Sequence, residues 1–65
     1  MKANNKVETV DGIFILNNGD YAVSTGYGIF PIMSVLQKKL NDSLLGTKLS
    51  VSVSNRMVID YKFSE

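Results

Sequence analysis

The chain predicts an α+β domain of ββαββ order, an antiparallel sheet of about four strands with one amphipathic helix packed across one face. Three observations predict it: Asn18-Gly19 between two apolar runs, an apolar stripe at helical spacing after Pro31, and strict alternation from Leu49 to Ser54.

The first hairpin rests on Asn18-Gly19, because a type I′ turn needs positive φ at both central residues and Asn and Gly tolerate it. A two-residue loop there sets Leu16 opposite Tyr21, Phe14 opposite Val23, Gly12 opposite Thr25 and Val10 opposite Tyr27. These residues make one strongly apolar face, and Phe14, Leu16, Tyr21 and Val23 are assigned to the core. The other face pairs Ile15 with Ala22, Ile13 with Ser24 and Asp11 with Gly26, so it is apolar near the turn and polar away from it.

Gly26-Tyr27-Gly28 weakens the strand and marks a bulge or an exit from the sheet. Pro31 suits the first turn of a helix, where its missing N–H has no intrahelical partner to lose. The helix is expected from Pro31 to Leu44 or Leu45, with Ile32, Met33, Leu36, Leu40 and Leu44 on one stripe and polar residues over the remainder. Lys38 and Lys39 suit its C-terminal half, and Gly46 is a natural stop.

In the last segment Leu49, Val51 and Val53 alternate with Ser50, Ser52 and Ser54, which describes a strand with one dry and one wet face. A two-residue loop at Asn55-Arg56 would set Val51 opposite Asp60 and Leu49 opposite Lys62. A three-residue loop, Ser54-Asn55-Arg56, sets Val53 by Met57, Val51 by Ile59 and Leu49 by Tyr61, so the longer loop is preferred.

With 65 residues the chain is read as one domain, 1–65, its first six residues frayed. A domain near this size buries only about 60% of the surface its unfolded chain exposes, so its core is small. Self-association, disulfides and metals are the usual supports. No cysteine is present, which excludes disulfides and thiolate metal sites, and no histidine, which removes the usual zinc ligand and the usual base near neutral pH. Self-association remains.

Net charge is +1, too small to point by itself to nucleic acid or an anionic membrane. Met1 to Lys6 has a positive start with no apolar stretch behind it, so no secretory signal is expected, and no run is long enough for a membrane span. The cytoplasm is the default location.

The residues offer little for catalysis. No pair of acids has a spacing that recommends acid–base work, Asp20 belongs to turn chemistry, and Asp11 on the partly apolar face more plainly ends or bends a strand. No catalytic residue, metal ligand or cofactor is assigned, and the chain is read as no enzyme. Ser24, Thr25, Gly26, Tyr27 and Gly28, leading to the expected helix start, form the best candidate for a small anionic ligand, through backbone N–H groups and hydroxyls. The pattern lacks the full glycine motif and the lysine of a phosphate loop, and a simple bulge explains it as well.

Nucleic acid would need aromatic platforms beside cations, whereas Tyr21 and Tyr61 fall on apolar faces, so it is the runner-up. The favoured reading is a binding protein of inhibitor, adaptor or sequestering type that acts as a homo-oligomer. Its interface would be Ile13, Ile15 and Ala22, a second apolar face that one helix cannot cover, with Val58 as similar surplus on the other hairpin. A protein partner would meet the same face. If instead the strands coil into one small barrel, both faces become internal and the surplus disappears.

Overall fold

The computed structural model describes residues 7–63, so the fraying expected for residues 1–6 lies outside the described residues. It overturns the α+β expectation. Five strands, β1 (Glu8–Asn17), β2 (Asp20–Thr25), β3 (Gly28–Pro31), β4 (Lys48–Ser54) and β5 (Met57–Phe63), form one sheet in the order β3-β2-β1-β4-β5, every neighbouring pair antiparallel. Helix is reduced to α1 (Ser34–Gln37) and a 3₁₀ turn over Asp42–Leu44.

The β1–β2 hairpin has the predicted register, Leu16 with Tyr21 and Phe14 with Val23, around Asn18 at φ 53° and Gly19 at φ 86°. The pairs Val10 with Tyr27 and Asp11 with Gly26 do not form. β2 ends at Thr25, and the first half of β1 turns to β4 instead, pairing Val10 with Val51 and Asp11 with Ser50. Gly12 and Ile13 pair on both sides. A Cβ on Gly12 would lie 2.5 Å from Val23 Cγ1 and 2.7 Å from the Ser24 carbonyl oxygen, so the close approach of β2 requires glycine.

Pro31 starts no helix. It closes β3, pairing with Ala22 on an edge strand, a position where a missing N–H is tolerated. The predicted long helix fails at both ends, for a long-range reason at the first and a local one at the second. Ile32 is drawn into a parallel bridge to Val58, and Asn41 adopts an extended conformation (φ −146°, ψ 169°) in which its side chain accepts from the Ser43 N–H at 3.0 Å. An Asn-Asp-Ser run competes in this way with helical hydrogen bonding. The apolar stripe nevertheless serves the core: Ile32 and Leu40 are buried, and Leu36 and Leu44 pack against the same cluster. Gln37 ties this segment to β2, accepting from the Tyr21 N–H at 3.1 Å and donating to the Ile32 carbonyl at 2.9 Å.

The second hairpin takes neither register weighed from the sequence alone. Its turn is the two-residue Asn55-Arg56, both at positive φ, and a bulge between Ser52 and Val53 follows, so that Val53 faces Val58 while Val51 faces Tyr61 and Leu49 faces Phe63. Ile59 is the unpaired residue. The extra residue reverses the alternation of β5, which carries Val58 into the core and leaves Met57 and Ile59 exposed.

The sheet curls until its edges meet. Ile32 bridges Val58, and the Met33 N–H donates to the Val58 carbonyl at 3.1 Å, closing a partly open barrel at one end. Inside lie Phe14, Val23, Ile32, Leu40, Leu49, Val51 and Val58, with Phe14 against Tyr21 and Phe63 at ring-centroid distances of 4.9 and 5.7 Å. Leu16, expected in this core, is 51% exposed. Pairing of β1 with β4 ends at Ile13 and Lys48, and the Gly46 and Thr47 backbone extends the ladder only to Phe14, so the hairpin tip has nothing to pack on.

Candidate functional site

Curling divides the outside of the barrel into two unlike halves. Outward residues of the first half of β1, of β4 and of β5 include Thr9, Asp11, Lys48, Ser50, Ser52, Asp60 and Lys62, a mostly polar surface on which Ser50 Oγ donates to Asp11 Oδ1 at 2.7 Å and at whose turn end Met57 and Ile59 are exposed. The outward residues of the rest of β1, of β2 and of β3 include two uncharged rows across the strands, Ile13-Ser24-Ile29 and Ile15-Ala22-Pro31. Charges flank them, Lys48 of β4 beside Ile13 and Asp20 in the Asn17-Asp20 pair next to the turn.

Of the four residues expected at an interface, the barrel keeps three on this outer face. Ile13 is exposed and Ile15 half-buried, while Ala22 is already covered between its cross-strand neighbours Ile15 and Pro31. Val58 lies in the core at 0% exposure and takes no part in an outer surface. Ile29 and Pro31 were missed from the sequence because their segment was read as a loop entering a helix. They complete the patch that Ile13 and Ile15 begin.

The residues singled out for a ligand occupy the end of β2 and the turn into β3. Thr25 Oγ1 accepts from the Tyr27 N–H at 3.0 Å and donates to the Gly28 carbonyl at 2.9 Å, so its hydroxyl and that N–H are used within the turn. Ser24 faces outward within the apolar rows, and Gly26 is exposed. No helix begins here, which removes the dipole that the anion reading invoked. Tyr27, 81% exposed, and Gly28 instead border an open cleft of about 630 Å³ between β3 and the β4–β5 turn. Its lining includes the apolar Phe30, Ile29 and Val53 and the charged Glu8 and Arg56.

The carboxylates with hydrogen bonds serve the fold. Asp11 receives Ser50, Asp60 receives the Tyr61 N–H at 2.9 Å, and Asp42 receives the Tyr21 hydroxyl at 2.6 Å. That last hydrogen bond, together with desolvation and the Asp42 charge, raises the Tyr21 phenol above its ordinary value. Among the described residues no helix is long and apolar enough to cross a membrane. No protein-family model, curated protein or solved structure matches the chain.

Proposed function

We propose that this chain is a small, non-catalytic cytoplasmic binding protein that acts as a homo-oligomer, a second copy covering the outer face of β1, β2 and β3. The observation that carries the reading is the uncharged double row Ile13-Ser24-Ile29 and Ile15-Ala22-Pro31 on a chain whose core cluster, among the described residues, holds seven buried apolar side chains. An uncharged apolar patch, here flanked by Lys48 and Asp20, can meet itself across a two-fold axis, which is what an isologous interface requires. Burial of such a patch adds what a small core lacks.

The runner-up, nucleic acid, fits this face less well. Five-stranded, partly open barrels that bind oligonucleotides do so across their second and third strands, where aromatic rings and cations meet the bases and phosphates. Here that face presents isoleucine, alanine, serine and proline, with Tyr27 at its margin.

Sedimentation of the full chain at micromolar concentration tests the proposal. An oligomer is expected, and Ile15→Asp is expected to run as a monomer with an unchanged circular-dichroism spectrum. A monomeric wild type would overturn the reading. Retention on heparin that moderate salt abolishes would favour the runner-up.

A further inference from the structure

The molecule builds two turns of the same kind from different residues. The β1–β2 turn is Asn18-Gly19, with glycine at the second position, whereas the β4–β5 turn is Asn55-Arg56, with Arg56 held at φ 62°. Glycine is the residue such a turn favours there, and a long side chain in the left-handed region is unfavourable. Arg56 therefore stands where the fold alone would select glycine, and it stands at the side of the cleft.

Across the cleft runs the open edge of β3. The Ile32 N–H points to the Tyr21 carbonyl, so Phe30 and Gly28, at the same parity, turn their main-chain groups toward β2. The Ile29 N–H and C=O turn the other way, into the cleft. β5 meets this edge only further on, at Ile32.

From this arrangement we infer that the cleft binds an extended peptide ending in a carboxylate. One peptide residue exchanges both main-chain hydrogen bonds with Ile29, adding a short strand to the edge of β3. Because side chains alternate along a strand, its neighbour drops an apolar side chain onto Phe30 and Val53. The carboxylate meets the guanidinium of Arg56, the one cation among the described residues of a lining that also holds Tyr27 and Glu8. The inference does not rest on self-association, although Ile29 and Pro31 belong both to the outer rows and to the cleft lining, Ile29 through its main chain in the cleft and its side chain in the rows.

Main-chain recognition tolerates many sequences, so a generic probe suffices. The full-length ¹⁵N-labelled chain is titrated with N-acetyl-Ala-Val-Val-Val as the free acid and as its C-terminal amide, following backbone amide shifts. The free acid is expected to give saturable shifts at Tyr27, Ile29 and Arg56, with the Ile29 amide moving downfield as it gains a partner. The amide form is expected to bind about tenfold or more weakly, the worth of one hydrogen bond to a charged group. Arg56→Gly, the residue the turn prefers, is expected to melt no lower than wild type and to bind both forms equally, and Arg56→Gln is expected to lose the same distinction. No shift at Ile29 with either peptide in the millimolar range would overturn the inference. So would equal affinity of the wild type for acid and amide, or an acid preference that survives in both variants.

Discussion

Gly12 sits so close beneath β2 that a single methyl would collide with Val23 Cγ1 and with the Ser24 carbonyl, and one of these contacts is backbone, which cannot swing aside. Gly12→Ala is therefore expected to lower stability by about 1–3 kcal/mol, as overpacking does, measured by denaturant unfolding. Tyr21 makes a different kind of prediction. Its phenol is held above the ordinary value near 10 by the hydrogen bond to Asp42, so the folded chain keeps this proton more tightly than the unfolded chain. The stabilisation is full below pH 10 and is lost as pH rises through 10 toward the folded value, because the unfolded state ionises first. The difference in melting temperature between wild type and Tyr21→Phe is expected to shrink across that interval. A difference that stays constant above pH 10 would show that the hydrogen bond contributes nothing.

At the scale of elements, what could be read in advance depended on whether the determining interaction was local. Asn18-Gly19 dictates its own turn, and β1 and β2 pair in the expected register. The stripe of Ile32, Leu36, Leu40 and Leu44 was legible as apolar, yet its conformation was decided elsewhere, by the bridge from Ile32 to Val58 and by the Asn41 side chain. β3 was hidden because Gly28 and Pro31 both look like strand breakers, and only the partner β2 makes an edge strand of them. In β5 alternation pointed to Ile59 as core and Val58 as surplus, and the bulge exchanges them. Val58→Ala is accordingly expected to cost on the order of 2 kcal/mol, two methylene equivalents plus the cavity left behind, while Ile59→Ala stays under about 1 kcal/mol. A larger loss from Ile59→Ala than from Val58→Ala would mean that β5 is paired in the longer-loop register after all.

For the whole molecule, curling the sheet settles which apolar residues are surplus. Closure at Ile32 and Val58 turns one face of the sheet inward, and the largest run of cross-strand apolar neighbours left outside lies over β1, β2 and β3, with Met57 and Ile59 exposed separately on β5. Ile13, Ile15 and Ala22 were legible as part of this patch because the first hairpin is local. Ile29 and Pro31 were not, because their strand exists only in the folded sheet. If a second copy covers the patch, folding and association are linked, and dilution must lower stability by mass action. The wild-type melting temperature is therefore expected to fall with each tenfold dilution, whereas that of Ile15→Asp, lacking the interface, is expected to be independent of concentration. The comparison also separates an interface defect from a folding defect. Damage to the barrel itself would lower the melting temperature of Ile15→Asp below that of the most dilute wild type, while loss of association alone would bring it to the value the wild type approaches on dilution.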